Sequence, residues 1–219
     1  MTNSRSYNLL CPISRALDHV GDRWTLLILR DLHAGPARFK DLQTGLKGIA
    51  SNLLSDRLQA LEASGLVQKN QSDYDVSLYS LTPQGEKTDQ LLFELARFGR
   101  QMPHPPKIQK PGNLRTVAVS LGTACKRAVG PDHSFAATLL IDQEPYRLTA
   151  HDSEAQIRAG AAENPDLVMT TSYEPMMALA DGDMTRDEFV SNHVTLEVIT
   201  PGKQNEFFDL LTRAIREFD

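Results

Sequence analysis

Between Ser51 and Ala63 the sequence SNLLSDRLQALEA sets Leu54, Leu58 and Leu61 at i, i+4 and i+7, which makes one face of a helix apolar. The polar side chains of Ser51, Asn52, Ser55, Asp56 and Gln59 fall on the opposite face. Asn and Gln carry a donor and an acceptor on one planar amide and can bond bidentately to the adenine edge in a major groove. Asn52 and Gln59 are therefore the base-reading candidates. Arg38, Lys40 and Lys47 precede the helix and Arg57 sits on it, where cations could hold phosphates and fix register without reading sequence. The same four residues also fit solvated surface charge. Asp56 is repelled by phosphate and can instead accept from a cytosine amine or pair with a neighbouring Arg.

Other reactive residue types are sparse. Cys11 and Cys125 are the two cysteines, too few and too far apart for a disulfide framework or a zinc site. Reduced thiols and a cytoplasmic location fit them. Cys11 has Arg15 one helical turn on, which could favour a thiolate, and a small, partly buried thiol is the alternative. His104, His133, His151 and His193 are scattered. With no nucleophile-elbow serine and no Gly-rich phosphate loop, the pattern argues against an enzyme and implies no metal or cofactor.

The elements that must position the amide face can be read around it. Helical patterns cover Ile13 to Val20 and Trp24 to His33, and Gly35-Pro36 stops the second. Trp24, the single tryptophan, reads as a core anchor rather than a base-stacking ring. Phe39, Leu42 and Leu46 mark a short helix, Gly48 a turn, and Ser51 an N-cap for the helix from Asn52 to Ala63. Gly65 ends that helix. Leu66 to Lys69 and Ser77 to Leu81 read as two strands around a polar tip at residues 70–75. Thr82 then caps one long helix, with Pro83 at its first position, running to about Arg100.

The prolines of MPHPPKIQKPGN divide the chain, because neither a helix nor a central strand continues through them. The expected organisation is a domain at 1–102, a Pro-rich linker at 103–113 and a second domain at 114–219. Two domains of about 100 residues suit the length, and the ordinary hydrophobic share of 41% can build cores without disulfides or metal. The net charge of −5 speaks against a nucleic-acid partner only as an average. Residues 1–102 hold 12 Lys+Arg and 11 Asp+Glu, a net of +1, whereas residues 103–219 hold 11 and 17, a net of −6. No stretch approaches the roughly 20 apolar residues of a membrane span, and MTNSRSYNLL lacks a signal-peptide plan.

The order helix, helix, short helix, turn, helix, hairpin, helix is that of a winged helix-turn-helix. From Cys11 to about Arg100 the chain closely resembles the HxlR family of winged helix-turn-helix repressors and activators. Cys-Pro, GDRW, Gly-Pro-x-Arg-Phe, GI, LxxLxxxGL and SLTxxG follow one another in order. The resemblance implies a DNA-binding transcriptional regulator and a homodimer joined through the first and last helices of the domain. It also implies that Asn52 to Ala63 is the recognition helix. The wing, SDYDVSLYS, departs from the family in lacking its Pro and Arg. Cys11 occupies a position where some members carry a redox- or electrophile-sensing thiol, which makes it the redox candidate.

Beyond the linker, Leu114 to Val129 reads as a helix and residues 134–150 as a hairpin turning at Asp142 to Glu144. Val168 to Ser172 is a strand; Tyr173 to Ala180 and Thr185 to Ser191 are helices split by Asp181-Gly182-Asp183. Val194 to Ile199 closes the sheet, and Gln204 to Phe218 is a final helix. The expected fold class is α+β: the winged helix-turn-helix domain plus a C-terminal α/β sandwich. Residues 114–217 resemble the sterol-carrier-protein-like domain, which implies a site for an apolar or amphipathic small molecule between sheet and helices. Met169, Met176, Met177, Leu179, Met184, Phe189, Phe207, Phe208 and Leu211 could line it, methionine adapting to irregular apolar shapes. A packed core needs the same residues, and a ligand-free dimerisation module is the alternative role.

Overall fold

The computed structural model describes residues 6–71, 76–103 and 113–218. The tip of the wing at 72–75 and the linker, apart from Pro103 and Asn113, lie outside the described residues. The described chain forms two compact units, residues 6–89 with Asn113 and residues 90–103 with 114–218.

In the first unit, α1 (Pro12–Val20) starts on a proline whose missing N–H costs nothing there. Helix α2 (Thr25–Leu32) buries Ile28, Leu29 and Leu32. Trp24 is half-buried just before α2, with the Arg23 guanidinium 5.1 Å from its ring centre. Helix α3 (Phe39–Gly45) and α4 (Ser51–Ala63) follow. Leu42, Leu46, Leu54, Leu58 and Leu61 are each 2% exposed or less, and each buried leucine contributes about 1.5–3 kcal/mol relative to an exposed one.

The wing pairs β1 (Val67–Gln71) with β2 (Ser77–Leu81) antiparallel, Val67 opposite Leu81. A single residue before α3 joins it: Ala37 exchanges hydrogen bonds of 3.0 and 2.8 Å with Tyr79. The expected long helix after Thr82 is two, α5 (Pro83–Glu86) and α6 (Thr88–Arg100), broken at Lys87. Thr82 caps α5, its Oγ1 accepting from the Gly85 N–H at 3.1 Å. Gly85 is packed so tightly that a Cβ there would stand 2.0 Å from the Leu66 carbonyl oxygen. Gly85→Ala is accordingly expected to lower stability by about 1–3 kcal/mol, seen as an earlier urea-unfolding midpoint. An unshifted midpoint would contradict this packing.

The second unit is a five-stranded mixed sheet in the order β5-β4-β3-β6-β7. Its strands are β3 (Phe135–Ile141), β4 (Glu144–His151), β5 (Glu154–Ala159), β6 (Leu167–Thr171) and β7 (Thr195–Val198). Strands β3 and β6 run parallel; the other neighbours are antiparallel. Both hairpins turn on two residues in the left-handed region, Asp142-Gln143 (φ 47° and 70°) and Asp152-Ser153 (φ 52° and 60°), which suits the right-handed twist of the strands. Along β3 and β4, Phe135, Ala137, Leu139, Ile141, Tyr146 and Leu148 bury one face of the sheet, and their neighbours in sequence point the other way. Helices α7 (Thr116–Ala128), α8 (Tyr173–Asp181), α9 (Arg186–His193) and α10 (Lys203–Arg216) complete the unit.

The packing changes hands earlier than the prolines do. From Gln90 onward α6 belongs to the second unit, where Phe93, wholly buried, packs against Phe218 at 5.0 Å between ring centres, the rings tilted by 53°. The prolines mark where the helix must end, whereas aromatic contacts decide which core it joins.

Candidate nucleic-acid interface and C-terminal cavity

The helix-turn-helix is held from both sides of its turn. Leu46 and Ile49 are buried on either side of Lys47-Gly48, and Gly48 takes the left-handed conformation at φ +92°. Ser51 does not cap α4. The N-cap is Ala50, and the Ser51 hydroxyl instead accepts from Gln43 Nε2 of α3 at 2.5 Å, tying the two helices together. Gln43 carried no signal in the sequence, since a partner eight residues away across a turn follows no helical or strand period.

With Leu54, Leu58 and Leu61 turned inward, α4 exposes Asn52, Ser55, Asp56 and Gln59 on its outer face. Arg38, Lys40 and Lys47 are exposed as well, Arg38 at the start of α3 where its backbone N–H donates to Asp41 Oδ2 (3.1 Å). Arg57 is engaged elsewhere. Its Nη2 lies 3.1 Å from Asp22 Oδ2, and both side chains are about one-third exposed. Asp22 is thereby the partner of Arg57, while Asp56 stays on the open face. On the wing, Lys69 stands over the Tyr79 ring at 5.7 Å and adds an exposed cation that the strand pattern did not single out.

Cys11 is exposed at the N-terminal end of α1. Its thiol is held below the ordinary value of 9.0 chiefly by the backbone N–H groups of Ser14 and Ile13, with help from the Ser14 hydroxyl. The open end of the helix thus supplies the effect, in place of the Arg15 guanidinium expected from spacing. Cys125 is fully buried, and desolvation pushes it up to about 12. The two thiols should differ sharply toward iodoacetamide: Cys11 is expected to alkylate in the native protein and Cys125 only in denaturant. Native labelling of both would contradict the burial of Cys125.

In the second unit, a cavity of about 620 Å³ lies among α7, β6, α8, α9 and α10, a size that accommodates a drug-sized molecule. Met169, Met176, Met177, Leu179, Phe189, Phe208 and Leu211 wall it. The other two residues singled out from the sequence lie elsewhere. Phe207 is wholly buried, edge-on to both Phe135 and Phe208, and Met184 follows the turn at Gly182. A specific feature separates cavity from packed core: α8 buries none of its residues, and its methionines stay half-exposed over the cavity. Arg186 stands at the wall with its guanidinium on Thr212 Oγ1 (3.1 Å) and Asp187 Oδ1 (3.3 Å).

The histidines assemble no site among the described residues. His133 is buried, its Nδ1 accepting from the Gly130 N–H (2.9 Å) and its Nε2 3.0 Å from Asp209, so both ring nitrogens serve the fold. His151 and His193 are exposed on other elements. Among the described residues no group of three His, Cys, Asp or Glu is placed to hold a metal ion, and no helix is long and apolar enough to cross a membrane.

A helical bundle closed by a two-stranded wing, with a bare polar face on the helix after the turn, is a winged helix-turn-helix DNA-binding domain. Comparison with known proteins makes the class specific. Residues 19–106 match the family model described as HxlR-like helix-turn-helix. The uncharacterized HTH-type transcriptional regulator YtfH of Escherichia coli K12 is 40% identical over 90 residues, which is 39% of this chain and 70% of YtfH. The uncharacterized HTH-type transcriptional regulator YvaP of Bacillus subtilis is 30% identical over 99 residues, covering 44% of this chain and 92% of YvaP. Among solved structures, quinone-bound YodB from B. subtilis is similar at 29% identity and a TM-score of 0.38, over 42% of this chain and all of that one. The chain belongs to the HxlR-like helix-turn-helix family and is a transcriptional regulator with a helix-turn-helix DNA-binding domain.

Proposed function

We propose that the protein works as a homodimer that reads a two-fold operator, placing one α4 in each of two successive major grooves about 34 Å apart. Asn52 and Gln59 contact bases, and Arg38, Lys40 and Lys47 hold phosphates. The observation that carries this reading is the exposed amide face of α4 directly behind three buried leucines. Apolar side chains left in solvent support the dimer. On α1 and just before it, Leu10, Ile13 and Leu17 are exposed, Leu10 at 95%. Along α6, Leu91, Leu95 and Phe98 recur at i, i+4 and i+7, all exposed, and Met102 just past its end is exposed as well. Contiguous apolar stripes of this kind mark protein contacts.

The second unit is read as a sterol-carrier-protein-like sensor whose apolar or amphipathic occupant, held among Met169, Met176, Met177 and Phe208, biases DNA affinity. A coupling of about 1–3 kcal/mol would change that affinity roughly 5- to 150-fold. Selection of genomic fragments by purified protein, followed by sequencing, tests the DNA reading; recovery of fragments without a shared two-fold motif would remove it. Native mass spectrometry of freshly purified protein tests the cavity, because a carried lipid adds mass and a ligand-free dimerisation module does not.

A second reading rests on Cys11. An exposed thiol with a stabilised thiolate at a helix N-terminus is open to oxidants and electrophiles. It holds if hydrogen peroxide or a quinone alters operator affinity in the wild type and leaves Cys11→Ser unaffected.

A further inference from the structure

Helix α6 has two opposed faces, and they do different work. It starts among the helices of the first unit, where Thr88 Oγ1 meets His33 Nε2 at 3.0 Å, and continues through the second. On its inner face Phe93 is wholly buried between two groups. The Arg127 guanidinium of α7 lies 4.4 Å from the ring centre on one contact, itself fixed by Gln90 Oε1 and by Glu94 (2.8 Å). The Phe218 ring supplies the other at 5.0 Å. One to two turns further on, Arg100 Nη1 donates to the Phe218 carbonyl at 3.0 Å, and its guanidinium stands 5.8 Å from the same ring. The outer face carries the apolar stripe of Leu91, Leu95 and Phe98.

Phe218 also walls the 620 Å³ cavity, beside Ile215 and Leu211 of α10. It follows the end of α10 at Arg216, is half-buried, and has cavity on one side and α6 on the other. We propose that Phe218 reports occupancy of the cavity to α6. An apolar chain entering the cavity packs on the Phe218 ring, and the tilted Phe218–Phe93 ring contact and the Arg100–Phe218 hydrogen bond pass the change to the inner face of α6. The inference rests on the cavity reading above and adds the route by which its content reaches the helix that carries the apolar stripe. Phe93 and Phe218 are positioning residues here, since neither is needed to touch DNA. Packed aromatic contacts suit this task because a close-packed ring moves between discrete arrangements and transmits its displacement to its neighbours.

The test uses the full chain, dodecanoate as the probe, displacement of anilinonaphthalene sulfonate to read binding, and hydrogen exchange to read α6. In the wild type, saturating dodecanoate is expected to alter the protection of amides at 90–100 by about fivefold or more. Phe93→Leu, which does not line the cavity, is expected to bind dodecanoate as the wild type does and to lose the response in α6. Phe218→Leu is expected to lose the same response, and exchange in β3 and β4 confirms that each variant is folded. Should Phe93→Leu fail to fold, Phe218→Leu decides, compared at a dodecanoate concentration that dye displacement shows to saturate it. Binding without any response in wild-type α6, or a response that survives in the folded variants, overturns the inference and leaves the cavity reading standing. Failure of both dodecanoate and the dye to bind overturns the cavity reading and the inference with it.

Discussion

Replacing Asn52 and Gln59 by alanine should leave the fold intact and remove most of the protein's preference for its operator. Both side chains are exposed, so their loss opens no cavity, and surface changes of this kind usually move stability by less than about 0.5 kcal/mol. Each bidentate amide–adenine pair is worth about 1–3 kcal/mol of discrimination. The double variant should therefore lose about 2–6 kcal/mol of specific affinity, while binding to unrelated DNA is unchanged. Arg38→Ala is the contrasting case: it should weaken binding to every sequence and flatten the salt dependence by about 0.9 in slope. Fluorescence anisotropy against operator and scrambled duplexes at several salt concentrations separates the two. Equal losses on both duplexes from both variants would contradict the division of roles.

Leu95→Glu with Phe98→Glu should convert the protein to a monomer in sedimentation velocity and cost about 100-fold or more in operator affinity. Phe98 is 61% and Leu95 42% exposed, on the face of α6 turned away from Phe93, so the carboxylates stay out of the Phe93 contacts. In a two-fold contact the same helix meets itself, which brings four like charges into one desolvated patch. A monomer has one α4, and losing the second anchoring site forfeits an avidity of about 10² or more. A double variant that sediments as the wild type does would remove α6 from the dimer contact.

The parts that sequence made legible are those governed by a local period. Leu54, Leu58 and Leu61 announced α4 and its outward face, Gly48 the turn, and Thr82-Pro83 the start of α5. Strand β5 carries little sequence signal because its inward residues, Ala155, Ile157 and Ala159, alternate with Glu, Gln and Arg, and its turn at Asp152-Ser153 lacks the glycine that usually marks a two-residue hairpin. Pairings distant along the chain left no trace at all. The Ala37–Tyr79 bridge, the Arg57–Asp22 ion pair and the Phe93–Phe218 ring contact each join residues whose meeting only the fold decides. The cavity residues show the same limit. Met176 and Phe207 are equally apolar in sequence, yet one is half-exposed over the cavity and the other is sealed between sheet and helix. Apolar character dictates that a side chain leaves water, and topology dictates what it meets.

Substitution of single adenines by 7-deazaadenine across a selected genomic fragment probes the major-groove acceptor that an amide bidentate needs. The wild-type protein should lose about 1–3 kcal/mol at a few adenines, in two clusters about 10 base pairs apart, and those losses should vanish when Asn52 and Gln59 are alanine. Indifference of the wild type at every adenine, or equal losses in the double variant, would show that α4 does not read bases through these amides.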